Sequence, residues 1–132
     1  MTTAQGYDDI DNYIAQLKEI DDQKMNIIQK VYDNHDEQSD VARWLCNYIF
    51  VSDLDKFQEG RYVRWIKRNE PNAIVSIGAF FCRVDIGINS DIYCVCKTKF
   101  NRYFSIPFNT HYIFQKITKD EIMLNNILRV YN

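Results

Sequence analysis

The chain has 132 residues, 46% of them apolar and 26% charged, with a net charge of −2. That balance fits one globular domain, or a small domain with an appendage, and excludes a disordered tail or a fibrous repeat. It also leaves no global basic field for nucleic acid or anionic lipid, and no run approaches the roughly 18 apolar residues of a membrane span.

Residues 8–32 contain neither Gly nor Pro. Ile10, Tyr13, Leu17, Ile20, Lys24, Ile27 and Val31 follow an a/d heptad series with Lys24 as its one polar member. Ile14, Met25, Ile28 and Tyr32 widen the stripe, so the spacing predicts a long helix able to bury two faces. Asp8, Asp9 and Asp11 are expected in its first turn, where carboxylates favour the positive end of the helix dipole. A polar stretch from Asp33 to Asp40 breaks the pattern. A second helix is then predicted from Val41, Trp44, Leu45, Tyr48 and Ile49, which share one face at helical spacing. Residues 1–52 therefore read as a helical arm.

Beyond residue 53 the period changes to two. Arg61-Tyr62-Val63-Arg64-Trp65-Ile66-Lys67 reads as a strand, and residues 73–84 as a long apolar run bent at Gly78. Strands are also expected over 92–97, over 103–108 (an edge strand or strand end, given Pro107) and over 111–116. Five short strands in about 60 residues fit a small SH3-like or OB-like β-barrel over residues 53–132. Thr118-Lys119-Asp120-Glu121 is a capping box for a C-terminal helix whose apolar face is Met123, Leu124, Ile127, Leu128 and Tyr131. The fold class expected is α+β: helical arm, five-stranded barrel, C-terminal helix.

Residues in patterns that carry chemistry are few. Cys94 and Cys96 share one strand face and, with Cys82, His35 or His111, supply the atoms of a zinc site, but the spacing is not that of turn-borne ligand pairs. With no secretory signal at the N-terminus, the four cysteines are expected as reduced, largely buried thiols. No nucleophile elbow, phosphate loop or metalloprotease motif occurs. No catalytic residue, cofactor or metal is assigned, and the chain is read as no enzyme; a zinc- or thiol-dependent enzyme ranks third among the readings. Basic and aromatic residues interleave over 61–68, a pattern that small barrels use for single strands, yet Asp53, Asp55, Glu59 and Glu70 flank it. An adaptor for nucleic acid or a larger complex is therefore the runner-up. Partner contacts are assigned to Ile10, Tyr13, Leu17, Ile20, Ile27 and Val31 on the arm and to Arg61, Arg64 and Trp65 on the strand.

Leu54-Asp55-Lys56-Phe57-Gln58-Glu59-Gly60-Arg61-Tyr62-Val63-Arg64-Trp65-Ile66 resembles the opening of a β-domain in small structural (minor capsid) proteins of nucleocytoplasmic large DNA viruses. Ile113-Phe114-Gln115-Lys116-Ile117-Thr118-Lys119-Asp120-Glu121 is similar to the segment that closes such domains. The resemblance spans about residues 41–131 and carries no catalytic residue. It implies a virion protein that braces or cements the capsid, with the major capsid protein and other minor capsid proteins as partners. It also implies residence in the capsid, and in the host cytoplasm during assembly; the arm adds the expectation of a homo-oligomer.

Overall fold

The structure, a computed structural model, describes residues 3–130 and, within them, the side chains of all but 3–10, 13, 125 and 128–130. Helix α1 spans Thr3–Val31, as the uninterrupted helical pattern requires, but it starts five residues before Asp8. Asp8, Asp9 and Asp11 therefore lie beyond its first turn, and the dipole contribution expected of them falls away. The chain reverses at residues 32–34, where the Asn34 side chain accepts from the amides of Asp36 (2.7 Å) and Glu37 (3.3 Å) and caps α2, His35–Trp44. Helix α2 is shorter than its apolar spacing predicts. Tyr48 and Ile49 leave it for a three-residue strand, β1 (Tyr48–Phe50), because pairing with a strand near the C-terminus overrides local helical spacing. The arm boundary expected at residue 52 falls just past this strand.

A 3₁₀ turn (Leu54–Lys56) leads to β2 (Tyr62–Lys67), β3 (Ala79–Ile86), β4 (Ile92–Lys97), β5 (Tyr103–Pro107) and β6 (His111–Lys116); α3, Lys119–Val130, follows. All strand pairs are antiparallel, in the order β1-β6-β2-β3-β4-β5. The molecule is α+β with a helical N-terminal region and a C-terminal helix. Its sheet has six strands and is open, where a five-stranded, partly open barrel was expected. The physical reason is that β1 occupies the outer edge of β6, leaving β5 as the opposite, unpaired edge. Pro107, expected at an edge, ends that strand.

Side chains alternate across the sheet, and each face builds its own core. On one face Ile66, Tyr112 and Phe114 are covered by Ile27, Ile28, Val31 and Tyr32 of α1 and by Val41 and Leu45 of α2. On the other, Val63, Phe81, Cys94, Cys96, Ile106 and Ile113 pack beneath Phe57 and Phe108. No helix is needed there because the sheet curls over itself. Trp65 and Phe104 stand three strand steps apart, about 14 Å in a flat sheet, yet their ring centroids are 5.7 Å apart.

Two buried polar side chains pin the coverings. Lys24, the polar member of the heptad series, is 6% exposed and donates to the carbonyls of Leu45 and Tyr48, both at 3.0 Å. It thereby serves carbonyls just past the end of α2, where a cation is favoured by the helix dipole. Gln115 accepts from the Gln58 amide (2.8 Å) and donates to the Lys56 carbonyl (3.2 Å), which holds the 3₁₀ turn down and sets Phe57 on Phe81 at 4.5 Å. The C-terminal capping box forms as the sequence predicts: the Glu121 amide donates to Thr118 Oγ1 and the Thr118 amide to Glu121 Oε1, each at 3.1 Å. Leu128 and Tyr131 of its expected apolar face lie outside the described residues.

Candidate functional site

Cys94 and Cys96 are buried in the curled-sheet core, and burial pushes both thiols up to about 12. They act as small hydrophobes. Cys82 is half-buried and Cys46 exposed; His111 Nδ1 sits 2.9 Å from the Thr110 hydroxyl and 3.1 Å from the Pro107 carbonyl. Among the described residues no group of three His, Cys, Asp or Glu side chains is placed to hold a metal ion.

The residues assigned to partner contacts divide. Ile27 and Val31 are buried in the helix-covered core, while Leu17 and Ile20 are half-buried. The side chains of Ile10 and Tyr13 lie outside the described residues. On β2, Arg64 and Trp65 point to opposite faces, so they form no common surface. Both arginines serve their own chain. Arg61 pairs with Glu121 (3.0 Å) and donates to the Lys116 carbonyl (3.2 Å). Arg64 donates to the carbonyls of Ser76 (2.9 Å) and Trp44 (3.3 Å).

That bridge from Arg64 marks a surface the sequence did not single out. Residues 72–78, between β2 and β3, are irregular but tightly moored. The Tyr32 hydroxyl donates to the Ala73 carbonyl (2.6 Å), the Asn72 amide to Val31 (2.9 Å), the Ser76 amide to Trp65 (3.0 Å) and the Tyr62 hydroxyl to Ile77 (2.8 Å). Gly78 ends the segment with φ +95°, where a Cβ would run into the Tyr62 ring and the Val63 carbonyl. This backbone holds Ile74 89% and Ile77 88% exposed, and Trp44 is 49% exposed. Trp44 and Ile74 line a groove of about 170 Å³ with Tyr32 and Val41, and Glu37 and Asp40 give it an acidic rim. A rigid apolar patch with a groove and charged rim is the anatomy of an interaction surface. The alternation rule could not find it: the run over 73–84 reads as one strand, and only the Ser76 and Gly78 interruptions signal otherwise.

No helix among the described residues is long and apolar enough to cross a membrane. Comparison with known proteins finds no matching family model, no matching curated protein and no matching solved structure.

Proposed function

We propose that the chain is a non-enzymatic structural protein that works by protein–protein contact, and that it is a minor capsid protein bracing the shell of a large DNA virus. The observation that carries the contact role is the moored segment that holds Ile74 and Ile77 out to solvent, with Trp44 beside Ile74 at the groove. Burying such side chains releases about 1.5–3 kcal/mol each, and a tryptophan beside a groove is a frequent anchor of interfaces. The acidic rim fits a partner segment that carries an apolar side chain flanked by Lys or Arg. The viral assignment rests on the resemblance at residues 54–66 and 113–121. The strand order β6-β2-β3-β4-β5 and the curl of the sheet support an SH3-like half-open barrel within it. The arm, through Ile10, Tyr13, Leu17 and Ile20, supplies a second contact.

Quantitative mass spectrometry of purified particles of the encoding virus tests this reading. The chain should appear in fixed ratio to the major capsid protein, and Ile74→Asp with Ile77→Asp should remove it from particles while leaving it folded. Particles that lack the native chain overturn the reading.

A further inference from the structure

The near-zero net charge conceals a separation. Residues 1–40 contain ten acidic and three basic residues, whereas residues 41–132 contain eight acidic and thirteen basic, so a chain of charge −2 divides into a part near −7 and a part near +5. The positive part holds the sheet, its loops and α3. Its strand register lines up one row of side chains across all six strands on the face that carries Phe114. Tyr62 of β2 is opposite Phe80 of β3, Phe80 opposite Lys97 of β4, and Lys97 opposite Tyr103 of β5. Lys116 of β6 is opposite Tyr48 of β1, and the β2–β6 register sets it beside Tyr62. The row therefore reads Tyr48, Lys116, Tyr62, Phe80, Lys97, Tyr103, and five steps of about 4.8 Å make it ~24 Å long.

Several of these groups are open to a ligand. Lys116 is exposed, Tyr103 is 62% exposed, and a cleft lies between Tyr48, Arg61, Tyr62, Phe80 and Lys116. At the Tyr103 end the β4–β5 turn adds Lys99 and Arg102, and its Phe100 is 74% exposed with the Lys99 ammonium 5.3 Å from the ring. Carboxylates near the row are paired with cations: Glu121 with Arg61 at 3.0 Å, Asp85 with Arg83 at 2.9 Å and, at the Tyr48 end, Asp21 with Lys24 at 3.6 Å.

We infer that the part of this row from Lys116 to Tyr103, which the helices leave open, binds single-stranded nucleic acid. The cations contact the phosphates while Tyr103, Phe100 and the Tyr62–Phe80 pair stack against unpaired bases. Rings interspersed with cations favour this ligand over a purely apolar partner, which would leave the lysines without counter-charge, and over duplex DNA, whose stacked bases offer no free face to these rings. The inference goes beyond the capsid reading and does not depend on it.

Fluorescence anisotropy of the full chain with labelled oligo(dT) and oligo(rU) of about 12 nucleotides tests it. Binding at about 50 mM salt should weaken ~20- to 50-fold by 200 mM, the slope for three or four phosphate contacts. Lys97→Gln with Arg102→Gln should weaken binding at least tenfold and flatten that slope. Tyr103→Ala should cost about fivefold or more with the slope unchanged, which separates stacking from charge. Circular dichroism of each variant confirms folding, and Lys99→Gln in the exposed turn repeats the charge test away from the strands. No binding at low salt, or binding indifferent to these substitutions, overturns the proposal. So does an acidic peptide copying residues 8–22 that binds this face more tightly than either oligonucleotide, which would assign it to the arm of a second copy.

Discussion

The two faces of the sheet solve one problem by different means. One is covered by helices from the other end of the chain; the opposite one is covered by the sheet's own curl and two phenylalanines from loops. The first core joins residues far apart in sequence and needs a buried cation to fix its cover. The second is built from neighbouring strands and needs only the amide of Gln115. Self-coverage thus leaves the helices' remaining surface, and the loop beneath them, free for other contacts.

The comparison is broken most severely in the helix-covered core. Phe114→Ala removes a fully buried ring 5.8 Å from Phe50 and should cost ~3–5 kcal/mol in urea denaturation. Phe57→Ala, which only uncovers Phe81 in the other core, should cost roughly half as much. The two pins come next. Lys24→Met deprives the Leu45 and Tyr48 carbonyls of their ammonium donor and should cost ~2–3 kcal/mol; Gln115→Leu should cost ~1–3 kcal/mol. Amide hydrogen exchange separates them. The lysine change should speed exchange in α1 and α2, the glutamine change in residues 54–58. Equal acceleration everywhere would mean that the coverings are not independent.

High pH sharpens the contrast further. Burial raises Cys94 and Cys96 from 9.0 to about 12, and burial with the nearby Glu37 carboxylate raises Tyr32 from 10.0 to about 12. All three are neutral when protonated, so the folded chain holds protons that the unfolded chain has released. Their stabilisation is complete below the unfolded values and is lost as pH climbs towards 12. The curled-sheet core should therefore loosen from about pH 9 and the helix-covered core from about pH 10, seen as staged changes in near-ultraviolet circular dichroism. At neutral pH a thiol reagent should label Cys46 promptly and leave Cys94 and Cys96 untouched until the chain unfolds. The smallest effect belongs to Glu121→Gln. Burial alone would raise that carboxyl, but the Thr118 amide and hydroxyl and the Arg61 guanidinium outweigh it and hold it below its ordinary value. Its contribution is present above that ordinary value and fades as pH falls through the lowered one. Because the side chain is over a third exposed, the loss should be only ~0.5 kcal/mol, read as a small drop in melting temperature.

Elements with strong local signals were legible in the sequence. The capping box at Thr118 and Glu121, the alternation of residues 92–97, and the unbroken pattern of α1 were all read correctly, because short-range physics decides them. Residues 48–50 were misread as helix since Tyr48 and Ile49 continue the spacing of Trp44; only pairing with residues 114–116 makes them a strand. Lys24 looked like a flaw in a heptad because the carbonyls it serves lie more than twenty residues away. The exposure of Ile74 and Ile77 was hidden for a related reason: apolar identity predicts burial, and the moorings that prevent it come from Tyr32, Tyr62 and Arg64. Taken as one average, the charge hid the acidic first forty residues and the basic remainder, which a count by segment separates.

The Lys24 contact also has a mechanical meaning. Its ammonium grips the carbonyl of Tyr48, the first residue of the edge strand β1. A pull along α1 therefore passes into β1 and loads the short β1–β6 ladder rather than the helix end alone. Under tension, that makes the three-residue edge strand the link that yields first, while the five strands beyond it keep their shape.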